Sequence, residues 1–299
     1  MRKFLNEEKS VSPIVAKSSD SLYQIITDDF KRKYNSKEYY YSQGSRFPFV
    51  TGSFQYDVSE IDSRIGMIEV EYFIYLCYSD YEYEKIFESD ITLNSEFNNE
   101  TQHMRLVGLS MYDNILPDFK ATIYHELTHL FQYGQGMEKR VNLYDKCIEF
   151  TKSDDETKKN VGWLTYFTFP HEQDAIAHQF YAQLKEMGSS HHIEYCITHY
   201  SEYKNIDYLM GYVKTHKKEI KPYVNELGFT VGQWYKRVHF AERRIIKKLC
   251  NAFKKYSMEK VNESALRESL RTHKIFLKYK DVFEGIKYGL ESFYKQYHL

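Results

Sequence analysis

The sequence PDFKATIYHELTHLFQYG, residues 117–134, is the part of this chain from which its fold and its chemistry are best deduced. A proline in the first turn with an acidic residue beside it is typical of a helix start, and Gly134 and Gly136 mark the helix end. We therefore predict a helix over roughly 118–133. Its apolar residues recur with helical spacing and are expected to pack on the core: Phe119, Ile123, Leu127 and Leu130.

Within this helix, His125-Glu126-Leu127-Thr128-His129 forms an HExxH motif. On an α-helix, residues four apart lie one above the other, so both imidazoles can reach one metal ion. Glu126 lies about 100° around the helix from His125, beside the metal and suited to holding a water molecule. The spacing predicts His125 and His129 as metal ligands and Glu126 as the catalytic base. A solvated polar stripe is the alternative, but it would tolerate Lys or Glu between and after the histidines, where the sequence has neither.

The segment Thr122–Phe131 resembles the extended signature of zinc metallopeptidases, with Thr ahead of the motif, uncharged residues between the histidines and hydrophobic residues after them. The resemblance is to the zincin group, covers roughly residues 100–188, and reaches no particular subfamily. It implies a zincin-like small mixed sheet with an active-site helix, Zn2+ as cofactor, and peptide-bond hydrolysis by metal-activated water with Glu126 as general base. It also implies a peptide or protein substrate.

A catalytic zinc site needs a third protein ligand and an open fourth position. The extended motif HExxHxxGxxH is absent, because Gln132 and Gln135 occupy its later positions. The segment PHEQDA, residues 170–175, resembles the ExxA-type helix of gluzincins, zincins in which a Glu from a following helix completes the site. That resemblance implies Glu172 as the third ligand.

Asp174 remains open as an alternative ligand or as a brace for a ligand histidine. Gluzincins often carry an acidic residue four positions after the ligand Glu, and here Ile176 stands there. Glu172 and Asp174 lie about 200° apart on a helix, so only one is expected to face the metal. An ordinary carboxylate at a helix N-terminus is the plainer interpretation of Glu172, since the helix dipole favours one there.

Two further features of the zincin mechanism have candidate residues. The tetrahedral oxyanion needs a donor, for which Tyr166, His171 and His178 are near enough in sequence, although a packed aromatic is the commoner role for any one of 29 tyrosines. The predicted strand 102–111 resembles the zincin edge strand, which holds extended peptides through backbone hydrogen bonds.

The remaining pattern predicts an α+β fold with a mainly helical C-terminal half. Strands are expected at Met67–Leu76 and 102–111, and a polar loop at Ser153–Asn160. Further helices are expected at Leu22–Tyr34, about 138–152, Pro170–Gly188, Val238–Tyr256 and Glu263–Tyr279. The predicted organisation is a flexible arm at 1–20, a zincin-like catalytic domain at 21–190 and a helical subdomain at 191–299.

Composition restricts the partners and the compartment. A net charge of −1 argues against a nucleic-acid partner, and the longest apolar run, Tyr72–Cys77, is far too short to span a membrane. The four cysteines are widely scattered and form no CxxC pair, which favours reduced thiols; with no signal peptide visible, we predict a cytoplasmic location. Oligomeric state does not follow from the sequence.

A second function, from a different class, stays open. A zincin-fold binding or assembly protein would keep a structural metal, recognise a partner through its helical C-terminal half and have no peptidase activity. Retention of Glu126 favours the enzyme, because a purely structural metal site has no need of a base.

Overall fold

A computed structural model describes residues 12–41, 47–87, 95–98, 100–134, 142–187 and 193–260. It confirms a mixed α+β architecture with a small mixed sheet and many helices. The chain divides into two compact units, one formed by Val11–Glu138 and one containing the chain from Lys139 onward. The domain boundaries predicted from the sequence stay predictions.

The first unit carries the whole described sheet and three helices. Its strands are β1 (Tyr40–Tyr41), β2 (Pro48–Asp57), β3 (Met67–Cys77), β4 (Glu96–Asn98), β5 (His103–Met111) and β6 (Asn114–Ile115), and its helices are α1 (Pro13–Asn35), α2 (Asp80–Phe87) and α3 (Pro117–Gly134). The strand order is β1-β2-β3-β5-β4, with β6 also paired to β5. Among the strand pairs that the structure describes, only β3–β5 is parallel; the others are antiparallel.

Strand β5 confirms the strand predicted at 102–111, but the prediction that it forms the sheet edge is wrong. On the side away from β3, β4 pairs with its first residues and β6 with its last. Between them, the Ser95 hydroxyl accepts a hydrogen bond from the Val107 amide at 2.9 Å, and the Leu109 carbonyl accepts one from the Leu116 amide at 2.9 Å. The backbone of β5 is therefore occupied along most of both sides.

Helix α3 packs against the sheet and α1 through the apolar face that the sequence predicted. Phe119, Ile123, Leu127 and Leu130 are at most 2% exposed and share one core with residues of α1, β3 and β5. Fully burying a side chain of this size stabilises the fold by roughly 1.5–3 kcal/mol. Helix α1 begins at Pro13, earlier than the predicted Leu22, because proline in the first turn is already set for a helix.

Seven helices of the second unit lie in the described residues. They are α4 (Asn142–Thr151), α5 (Glu156–Tyr166), α6 (Pro170–Met187), α7 (Ile193–His199), α8 (Ser201–Thr215), α9 (Ile220–Glu226) and α10 (Val231–Lys260). Helices α4 and α6 match the helices predicted near 138–152 and 170–188, and α10 contains the one predicted at Val238–Tyr256. The helix predicted at Glu263–Tyr279 lies outside the described residues.

The prediction of a polar loop at Ser153–Asn160 is wrong over most of this range, because helix α5 already begins at Glu156. The Asp155 side chain caps α5, accepting a hydrogen bond from the Lys158 amide at 2.8 Å, so the helix begins at Glu156. The middle of α5 lies close to α4. A Cβ added at Gly162 of α5 would lie 2.6 Å from the Cβ of Phe150 on α4.

The turn between α5 and α6 is held by side chains of α6 and α10. Trp234 donates its indole N–H to the Thr165 hydroxyl at 2.8 Å, and Arg237 donates Nε–H to the Thr168 hydroxyl at 2.7 Å. Gln173 donates its amide to the Thr168 carbonyl at 3.2 Å. These contacts satisfy polar groups at the end of α5 and fix the start of α6, where Glu172 lies.

None of the described helices has both the length and the apolar character that crossing a membrane requires.

We predict that Gly108→Ala destabilises the first unit. A Cβ at this position of β5 would lie 2.3 Å from Cδ2 of Phe119 on α3, so the helix or the strand must move. The expected loss is about 1–3 kcal/mol in the free energy of unfolding, measured by urea denaturation. Gly211→Ala is the control: it lies on α8 with no atom within 4 Å of the new Cβ, and should stabilise by about 0.5–1 kcal/mol. Equal effects of the two changes would contradict the close approach.

We also predict that the native thiols resist modification. All four cysteines are free and buried, and burial raises the pKa of Cys77 to about 11 and of Cys147 and Cys196 to about 12. The thiolate is the reactive form, so at pH 8 only about 0.1% or less of these groups can react. Ellman's reagent should label almost no thiol in the folded protein and four in urea; fewer than four in urea would reveal a disulfide.

Candidate metal centre

Helix α3 carries the HExxH motif with the two histidines facing each other. Nε2 of His125 and Nε2 of His129 are 3.1 Å apart, and their rings cross at 73°. Both side chains are partly exposed, whereas Leu127 between them is fully buried. The predicted separation of an apolar face and a histidine face on this helix is confirmed.

The distance between the two nitrogens fits two chemical states. Two nitrogens bound at 2.0–2.1 Å to one tetrahedral ion would be separated by about 3.3 Å. A hydrogen bond in which one neutral imidazole donates to the other has a similar length. The pair is thus arranged either to share a proton or to bind one metal ion without moving.

Contacts within the first unit fix the rotation of α3 about its axis. The Tyr124 hydroxyl donates to the Asp20 carboxylate on α1 at 2.8 Å, and the Lys120 ammonium lies 3.2 Å from the same carboxylate. The Thr128 hydroxyl, almost fully buried, donates to the Tyr124 carbonyl at 2.7 Å. Because Tyr124 precedes His125 directly, these bonds hold the histidine face in place.

Glu126 is 7% exposed, which is unusual for a glutamate. A carboxylate removed from water is costly unless other groups stabilise it, so its burial is not the behaviour of a residue on a solvated stripe. This observation removes the plain surface interpretation of the motif.

Glu172 lies in the first turn of α6 and is completely buried. Its Oε1 accepts a hydrogen bond from the Tyr144 hydroxyl at 3.0 Å, and Nε2 of His171 lies 3.4 Å from the same oxygen. Burial, followed by the charge of the Glu172 carboxylate, raises the pKa of Tyr166 well above its ordinary value. An ordinary helix N-terminal carboxylate would be exposed, so that interpretation does not fit Glu172.

Asp174, the alternative ligand, faces a different neighbour. Its carboxylate is partly exposed and forms an ion pair with the Lys248 ammonium of α10. The two carboxylates therefore have separate surroundings, as their offset of about 200° around α6 requires.

The structure brings together His125, His129 and Glu172 and leaves Asp174 outside the group. One ligand atom from each of the three residues lies within 4.8 Å of the others. Among the described residues, this is the group of histidine, cysteine and acidic side chains that could hold a metal ion.

The three candidate oxyanion donors have different surroundings. Tyr166 and His171 both contact Glu172. His178, farther along α6, donates Nδ1–H to the Asp174 carbonyl at 2.8 Å, and burial lowers the pKa of its imidazole, which keeps the ring neutral. Tyr144 also contacts Glu172, and it was not predicted as a site residue because nothing in the sequence distinguishes it from the other tyrosines.

Comparison of the chain with protein-family profiles, with curated proteins and with solved structures found no match.

Proposed function

We propose that this chain is a zinc-dependent metallopeptidase of the zincin type, with His125, His129 and Glu172 as the zinc ligands. The convergence of these three residues, predicted from two separate sequence segments, is the observation that carries the proposal. A spacing of four on one helix and a buried carboxylate on another helix are independent features, and a chance HExxH sequence would not predict the second.

The donor set fits zinc. Two imidazole nitrogens and one carboxylate oxygen are a typical ligand set of catalytic zinc sites, with a fourth position left for water or substrate. Neutral imidazoles and a single carboxylate leave such an ion a net positive charge. A zinc ion with these ligands would act as a Lewis acid that polarises a carbonyl group and acidifies water.

Glu126 supplies the proton transfer in this proposal. Its carboxylate accepts the proton that water loses on attacking the peptide carbonyl, and then donates this proton to the leaving amine. Its low exposure fits this role better than that of a solvated surface carboxylate. Tyr166 and His171 are the candidate donors to the developing oxyanion.

The substrate proposed is a peptide or a protein. We do not expect that substrate to bind along β5, because β4, β6 and the Ser95 hydroxyl occupy the outer side of this strand. The cysteines, free and buried, are compatible with a reducing, cytoplasmic compartment.

We predict that Glu126→Gln keeps zinc bound and lowers peptide hydrolysis by about 10²–10⁴-fold, because glutamine cannot accept the proton. Zinc is measured by metal analysis of the purified protein, and hydrolysis by cleavage of a peptide library. Glu242→Gln is the matched control: Glu242 is 5% exposed on α10 and outside the candidate site, and its variant should cleave like the wild type. Zinc binding with no cleavage by the wild type would favour the binding or assembly protein.

The choice of third ligand is tested by a second pair of variants. Glu172→Gln should weaken zinc binding by more than about 100-fold, because it removes a charged ligand. Loss of a residue that only hydrogen-bonds to a ligand typically costs roughly 10–100-fold. Asp174→Asn should leave zinc affinity unchanged, since Asp174 pairs with Lys248. The reverse result, measured by competition with a chelating dye, would assign Asp174 as the ligand.

A further inference from the structure

Tyr144 reaches Glu172 from a separate helix. Its hydroxyl on α4 donates to Oε1 of Glu172 on α6 at 3.0 Å. Glu172 is completely buried, so the donors around it must come from the protein. A hydrogen bond to a carboxylate in such surroundings is stronger than one between neutral groups, and its loss is correspondingly costly.

The ring of Tyr144 is held by other aromatic rings. Its centroid lies 5.6 Å from that of Tyr166, 5.2 Å from Phe169 and 5.1 Å from His171. These three residues belong to the end of α5 and the start of α6, the region that α10 also fixes. The hydroxyl of Tyr144 therefore has a position set by helix packing, independent of the side-chain conformation of Glu172.

A donor at one carboxylate oxygen restricts rotation of the whole carboxylate group. With Oε1 bonded to a hydroxyl on a fixed ring, the plane of the carboxylate and the direction of its second oxygen are also defined. Carboxylates that bind metals in proteins are oriented by such hydrogen bonds, and loss of the outer partner typically lowers metal affinity by roughly 10–100-fold.

We infer that Tyr144 is a positioning residue, whose hydroxyl holds the Glu172 carboxylate in the orientation in which it binds the metal. The inference rests on the proposed function, in which Glu172 is a zinc ligand. Tyr144 acts through Glu172 and takes no part in proton transfer.

Tyr144→Phe tests this inference, with Tyr200→Phe as its matched control. Tyr200 is also buried, and its hydroxyl donates to the Ile176 carbonyl of the same helix α6 at 3.0 Å. Each change removes one hydroxyl and one hydrogen bond to α6, and each is expected to lower the melting temperature. Only Tyr144→Phe removes a bond to the candidate ligand.

The readouts are zinc affinity, by competition with a chelating dye, and the visible absorption bands of the Co2+-substituted protein. Tyr144→Phe should lower zinc affinity by about 10–100-fold and shift the cobalt bands, while Tyr200→Phe changes neither. If Tyr144→Phe does not fold, Tyr144→Met replaces it, because methionine fills irregular gaps and has no donor.

The outcomes separate this inference from the proposed function. A wild-type protein that binds no zinc would overturn both. Zinc binding by the wild type, with the same affinity and cobalt spectrum in Tyr144→Phe, would overturn the positioning role alone. Equal changes in the Tyr144 and Tyr200 variants would also overturn it, because a general loss of stability would then explain the result.

Discussion

Helix α3 approaches strand β5 so closely that position 108 admits no side chain, and the histidines depend on that approach. The ring of Phe119 occupies the space where a Cβ of residue 108 would stand. With Phe119 seated against the strand and Tyr124 bonded to Asp20, the helix has one rotation about its axis. The period of the helix then directs His125 and His129 away from the core on which Leu127 packs.

The second constraint on the structure is the buried charge of Glu172. A carboxylate with no exposure requires donors close by, and the second unit supplies them from two helices and from the adjacent residue of α6. The surrounding aromatic rings exclude water, which strengthens the hydrogen bond from Tyr144 to this carboxylate. Such surroundings are uncommon for a residue with only a structural task, since an apolar side chain would fill the same volume at lower cost.

The elements that could be predicted from the sequence are those whose residue pattern is strong within one short segment. The apolar period of α3 and the spacing of its histidines are encoded within one segment, and the proline start of α6 is equally local. Helix α5 was missed because its first turns are polar, and its buried face forms only when α4, α8 and α9 pack against it. Strand β4 has three residues, too few to give a pattern, so the covering of β5 could not be foreseen. Tyr144 was missed because only the three-dimensional structure separates it from 28 other tyrosines.

Both margins of the described sheet end in very short strands, β1 with two residues and β4 with three. A long, flat outer strand offers unpaired amides and carbonyls to any other chain, and is a common start of aggregation. Here β3 is paired on both sides, and β4 and β6 cover the outer side of β5, so few pairing groups remain at that margin. At the other margin of the described sheet, β1 pairs with only Pro48 and Phe49 of β2. The same cover that keeps an extended peptide from β5 thus also protects the β5 margin of this tyrosine-rich chain from edge-to-edge association with copies of itself.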